Sequence, residues 1–195
     1  MYYYLSLYIL YIHYSFRDIH AIDISETVIF KMQEKYADYA GVSFSVMDVR
    51  LLNAIPDKTY TLVLDKACID AVFCSTNFLS DTRTAFKEIY RVLAEGGLFV
   101  SLSHASPPSR VPFLRIAPWG IDACGISYGE NIHMFILSRH KDGQEVNNEV
   151  EGAEAVVLAR PTNAVSDLGE KGFKSSTTKN AGVSGFVTVT ASVDY

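Results

Sequence analysis

The sequence predicts an α/β fold: a parallel sheet with helices on both faces and an antiparallel hairpin at its end. Three observations lead there. Between residues 17 and 140, short and nearly unbroken apolar runs alternate with amphipathic helical runs, the pattern of strands buried on both faces. Three of those runs end in an acid, at Asp23, Asp48 and Asp65, and ligands of such sheets bind beyond the carboxyl ends of the strands. The chain of 195 residues is 49% apolar and 20% charged, which suits one domain with a substantial core.

The elements follow in order. His20–Ile24 is a short apolar run, and Ser25 is placed to cap the helix after it. Val28, Ile29, Met32, Tyr36 and Ala40 share one face of that helix, which Gly41 closes. Val42–Val46 alternates as a strand and leads to Asp48; Tyr60–Leu64 is the next apolar run and leads to Asp65-Lys66. Ser80 is a cap for a helix whose Phe86, Ile89, Tyr90 and Leu93 recur at helical spacing. Gly96-Gly97 ends it, and Leu98–Ser103 is the following strand. Pro107, Pro108, Pro112 and Pro118 punctuate a loop, after which Ile121–Ser127 and Ile132–Ser138 form a hairpin about Gly129-Glu130-Asn131.

The ends differ from the middle. Residues 1–16 carry six tyrosines and no Asp, Glu, Lys or Arg. A membrane span needs about 20 apolar residues, and a secretory signal needs a basic start and a small-residue cleavage site. A segment packed on the core is therefore expected, with no membrane partner. Residues 141–195 hold eight acids, five bases and only three aromatic residues, the composition of a polar, mobile extension that folding can dispense with. Within it, 182–193 alternates enough for a strand, with a tail as the other reading. The division is a tyrosine-rich segment at 1–13, a domain at 14–140 and an extension at 141–195.

Charge and cysteines exclude several classes. The 17 Lys and Arg against 22 Asp and Glu leave a net charge of −5, the wrong sign for a non-specific nucleic-acid binder. Cys68, Cys74 and Cys124 are an odd number without a C-x-x-C pair, which fits free thiols in a reducing, cytoplasmic setting and no metal site. An ionised carboxylate accepts paired hydrogen bonds, so Asp23 suits a ribose diol and Asp48 an exocyclic amine, although Asp48 can instead cap the turn that follows it.

Four stretches then carry a resemblance: IDISETVI (22–29), FSVMDVR (44–50), LVLDKACIDAV (62–72) and EIYRVLAEGGLFVSLSHASPPSR (88–110). They resemble the class I S-adenosylmethionine-dependent methyltransferases, in the branch of the elongation-factor-1-alpha lysine methyltransferases and the methyltransferase-like region associated with endothelin-converting enzyme. The resemblance covers about two-thirds of the chain, through HMFILSRH (133–140). It implies a Rossmann-like fold, a cofactor in S-adenosyl-L-methionine and a protein substrate of the elongation-factor class. It implies that Asp23 holds the ribose with Ile24 beside the adenine, and that Asp48 and Val49 meet the adenine amine. Asp65 and Lys66 match the motif that lines the methyl-donor pocket. His104, Arg110 and Trp119 fall in the loop region of the substrate edge, where a solvent-facing histidine and a core-anchored tryptophan are the alternatives.

One departure matters. The family opens with a strand and a Gly-x-Gly loop, whereas this chain has no glycine before Gly41. A side chain in that loop obstructs close approach of the cofactor, so the fold is read as N-terminally incomplete and cofactor affinity is expected to fall or vanish. Leu5–Ile12 is the segment expected to fill the slot of the missing strand. The second function carried is thus a truncated or degenerate fold without cofactor, serving as an interaction module. A nicotinamide-dependent dehydrogenase ranks third, because Asp23 alone suits both folds and the other stretches do not.

Overall fold

The computed structural model describes residues 18–127, 132–140 and 186–190, with 123–127 and 186–190 given by their backbone. The strands are β1 (Ile19–Asp23), β2 (Val42–Val46), β3 (Tyr60–Lys66), β4 (Leu93–Ser103), β5 (Gly120–Ser127), β6 (His133–Ser138) and β7 (Phe186–Thr190). They form one sheet in the order β2-β1-β7-β3-β4-β6-β5. The first five in that order are parallel, and β6 and β5 add the predicted antiparallel hairpin. The turn expected at Gly129-Glu130-Asn131 lies outside the described residues.

β1 is buried on both sides, as its unbroken apolar run requires. Ile19 and Ala21 pack with Met32 of α1 (Glu26–Lys35) and with Tyr36, the residue that caps it. Ile22, from the other face, joins Val63, Phe86, Ile89 and Phe99 in the larger core. The Ser25 hydroxyl accepts from the Val28 N–H at 3.4 Å and starts α1 as expected. The helix stops at Lys35 and not near Gly41; Gly41 instead adopts φ 79° and turns the chain into β2.

Three elements depart from expectation for identifiable reasons. The run after Asp65 folds into α2 (Cys68–Phe73), a helix too short to show periodicity. α3 (Phe78–Val92) starts at Asn77 and ends before Leu93, which already pairs with Tyr60 of β3. Gly96 and Gly97 therefore lie inside β4 and make a bulge, with the register slipping from Tyr60 opposite Leu93 to Leu62 opposite Leu98. A Cβ on Gly97 would sit 2.8 Å from the Ala94 carbonyl oxygen, so only glycine fits. The C-terminus of α3 is closed by Arg139, whose Nη1 donates to the Tyr90 and Leu93 carbonyls at 2.9 Å.

The proline-rich stretch is also helical, as α4 (Pro107–Leu114). Ser106 stands at the cap and Pro107 in the first helical turn, where a missing N–H costs nothing. Trp119 then plugs the core at 1% exposure. Its ring stacks 5.4 Å from Phe99 and meets Phe86 edge-on at 5.3 Å, while its indole N–H donates to the Leu114 carbonyl.

The largest correction concerns the carboxyl-terminal region. Phe186–Thr190, expected as part of a mobile extension, is a central strand that pairs in parallel with β1 on one side and β3 on the other. Two strands with facing, unpaired edges present a ladder on each side of an empty slot. A short β-branched segment fills that slot whatever its distance in sequence. Leu5–Ile12, expected in the same place, lies outside the described residues, as does 141–185. Among the described residues, no helix is long and apolar enough to cross a membrane.

Candidate functional site

A cleft of about 190 Å³ opens at the carboxyl ends of β1 and β2. Asp23 and Ile24 form one wall, Met47, Asp48, Val49 and Arg50 another, and α2 closes it through Cys68, Ala71 and Val72. Asp23 ends β1 with only 2% exposure, and its Oδ1 accepts the Ser25 N–H at 2.8 Å. Ile24 beside it is 62% exposed. A buried acid next to an apolar side chain held out in solvent marks a surface shaped for a ligand with both polar and flat apolar parts.

Asp48 lines the same cleft, but its carboxylate serves the protein. Oδ1 accepts the Arg50 N–H at 2.9 Å, and the Arg50 side chain grips both oxygens while its Nη1 reaches Asp81 at 2.7 Å. These hydrogen bonds hold the Asp48 carboxyl below its ordinary range. The alternative in which Asp48 caps the following turn is the one the chain adopts. Arg50, two residues on, was not singled out from sequence. An acid followed at i+2 by an arginine on a turn was the available signal.

Asp65 also points inward. It is 1% exposed, Oδ1 accepts the Cys68 and Ile69 N–H groups at 2.9 and 3.2 Å, and Oδ2 accepts the Ser101 hydroxyl at 2.6 Å. It is the acid that starts α2, and burial pushes its pKa up to about 6. Asp65 therefore shapes the cleft by fixing α2 and does not itself line it; Lys66, next along β3, is likewise not among the cleft's lining residues. Burial also pushes the Cys68 thiol up, so it is an apolar wall of the cleft more than a nucleophile.

The substrate-side candidates separate. His104 and Arg110 come together at a second opening, beside α4, with Asp70, Phe73 and Phe113. Arg110 is 3% exposed, donates through Nη2 to Asp70 and to the Ser103 hydroxyl, and stacks 4.1 Å over Phe73. The His104 N–H donates to Asp70 Oδ2 at 3.0 Å. Trp119 is not there; the core holds it, because a large ring packed on Phe86 and Phe99 gains more than one in a loop. Asp70 and Phe73 were given no role from sequence, since only α2 turns them to this side.

A model for the methyltransferase domain matches residues 5–101, and the branch read from the motifs recurs among the relatives below. Residues 5–101 are thereby identified with a methyltransferase domain. It is 27% identical over 156 residues to EEF1A lysine methyltransferase 4 of Bos taurus, and 26% identical over 161 residues to that of Mus musculus. These alignments cover 75% and 77% of this chain and 60% and 62% of the relatives. The chain thus spans about three-fifths of the length of the curated relatives it matches. A 93-residue stretch is 38% identical to the eEF1A lysine and N-terminal methyltransferase of Mus musculus, covering 46% of this chain and 13% of that protein. Among solved structures, a SAM-dependent methyltransferase from Methanosarcina mazei aligns with TM-score 0.52 at 16% identity, over 63% of this chain and 82% of the other. The N-methyltransferase NodS of Bradyrhizobium japonicum, in complex with S-adenosylhomocysteine, aligns with TM-score 0.52 at 12% identity, over 71% and 86%. Those two likenesses concern the fold.

The methyltransferase family's cofactor is S-adenosylmethionine, and the cleft suits its nucleoside half. Asp23 offers carboxylate lone pairs to vicinal hydroxyls, and Ile24, Met47 and Val49 offer an apolar slot to a purine. Asp48 does not fit the amine-binding role through its side chain. The residues after Thr190, where the chain leaves the central strand at this same edge, lie outside the described set.

Proposed function

We propose that the domain is a protein-lysine N-methyltransferase acting on a substrate of the elongation-factor class, with S-adenosylmethionine as methyl donor. The observation that carries the cofactor reading is the pairing of buried Asp23 with exposed Ile24 at the mouth of the cleft. Relatives named for eEF1A lysine methylation support the substrate. In this reading Asp23 takes the ribose hydroxyls, and Ile24, Met47 and Val49 sandwich the adenine. Bound there, the cofactor supplies a sulfonium-borne methyl group as electrophile. The protein's own residues align the substrate amine and exclude water, and the amine attacks once it has given up its proton. His104 and Arg110 belong to the substrate side, and the cytoplasm is where such a substrate is met.

Titration calorimetry with S-adenosylhomocysteine tests the cofactor half. Weak but saturable binding is expected, because no glycine precedes Gly41 to let the methionine half of the cofactor approach, and Asp23→Ala weakens it further by about 1.5–3 kcal/mol, the worth of hydrogen bonds to a charged group. Mass spectrometry of eEF1A incubated with the protein and S-adenosylmethionine tests the substrate half. A second reading, a non-enzymatic interaction module, draws on Asp48 and Asp65, both tied to their own chain. It predicts no calorimetric signal at all.

A further inference from the structure

α2 has two working faces. Cys68, Ala71 and Val72 close the nucleoside cleft, while Asp70 and Phe73 look into the second opening beside α4, a space of about 460 Å³. Six residues thus separate two cavities at one edge of the sheet. The second has a definite chemistry. Phe73 and Phe113 meet edge to face with ring centroids 4.8 Å apart and form an apolar wall. Asp70 is fixed from behind by three donors: the Ser103 hydroxyl at 2.6 Å, Arg110 Nη2 and the His104 N–H.

The charges of the ion pair are not equally accessible. The Asp70 side chain is 23% exposed and that of Arg110 only 3%. A ligand entering this space meets a carboxylate edge and aromatic surface, with the guanidinium sealed beneath. That selects for a cation on an apolar stem. The ammonium gains an oriented hydrogen bond and charge attraction at Asp70, and methylenes cover Phe73 and Phe113. An anion meets like charge, and a plain hydrocarbon leaves the carboxylate edge without a donor.

We propose that the space lined by Asp70, Phe73 and Phe113 is the acceptor pocket, binding an unbranched alkylammonium, namely the lysine side chain of the substrate protein. This rests on the methyltransferase reading for its purpose, but the pocket's preference is measurable without cofactor. Arg110 is a positioning residue, holding the Asp70 oxygen toward the opening.

The test is an NMR titration of the ¹⁵N-labelled full chain with N-acetyl-lysine methylamide, and with N-acetyl-norleucine methylamide as the amine-free control. Saturable shifts at the amides of residues 70–73 and 104–113 are expected for the lysine probe, with the control at least about tenfold weaker, the scale of one charged hydrogen bond. Asp70→Asn should abolish that difference. Should Asp70→Asn fail to fold, Phe113→Leu keeps an apolar side chain, removes the aromatic wall and should weaken the lysine probe severalfold while leaving S-adenosylhomocysteine affinity unchanged. Equal affinity for both probes, or lysine-probe shifts confined to other regions, overturns the pocket. Loss of S-adenosylhomocysteine binding alongside intact lysine selectivity overturns the cofactor reading and leaves the pocket standing.

Discussion

Asp65 and Ala67 show how much chemistry rests on single positions. An acid whose folded pKa lies above its ordinary value holds its proton more tightly in the folded state. Asp65, pushed from 3.8 up to about 6 by complete burial, therefore adds stability that is full below about pH 4 and lost as pH rises through about 6. The difference is on the order of 3 kcal/mol. Between about pH 4 and about pH 6.5, urea midpoints should lose this contribution with rising pH, and Asp65→Asn should remove that part of the slope. An unchanged slope in the variant would remove Asp65 as its source. Asp48 and Glu88 act with the opposite sign and at lower pH, since Arg50 and Arg91 hold both below their ordinary range. Ala67 sits at φ 63° just before α2, a left-handed conformation that costs a residue with a Cβ about 1–2 kcal/mol. Ala67→Gly should raise stability by about 0.5–1 kcal/mol after its own entropic cost, read as a higher urea midpoint at constant slope.

At the scale of elements, β7 is the piece on which the sheet depends. Both of its edges are paired, so every N–H along Val187–Val189 points at a neighbouring strand. Proline has no N–H to give. Val187→Pro should therefore destabilise by at least about 2 kcal/mol, whereas a proline on an outer edge costs little. Chemical denaturation of Val187→Pro beside Val46→Pro, on the outer strand β2, decides it; equal effects would place 186–190 outside the sheet. α2 has the other large role. Its start is set by Asp65, its two faces divide the cleft from the acceptor pocket, and its six residues are too few for a period to be read from sequence.

At the scale of the molecule, folding reaches from residue 19 to residue 190. A variant ending at His140 should lose cooperative unfolding, because β1 and β3 then face each other across an empty slot with two unpaired edges. Differential scanning calorimetry of the full and shortened chains checks this: a retained transition of equal enthalpy would make the segment dispensable. The cores on the two faces of the sheet also meet different loads. Among the described residues, α1 is the helix on one face, through Met32 and its capping residue Tyr36. α2, α3 and α4 share the other with Trp119, Phe86 and Phe99, so truncating Phe86 should cost about 3–5 kcal/mol.

Local signals in the sequence sufficed for the parallel strands, the Ser25 cap, the hairpin and the acids at strand ends. Each follows from residues within a few positions of one another: alternation, capping chemistry and turn propensity act over a turn or a strand. Asp23 at the cleft was legible on the same grounds, as an acid at a strand end, while Ile24 beside it came from the family resemblance. The tertiary structure alone decided which strand fills the centre, because a ladder is made by whatever segment completes both edges, at any separation along the chain. It decided that Asp48 and Asp65 spend their carboxylates on Arg50 and on α2, since no spacing shows which donor arrives first. It also moved Trp119 into the core and brought Asp70 to Arg110, 40 positions apart, where burial of the guanidinium leaves the acid as the face a ligand meets.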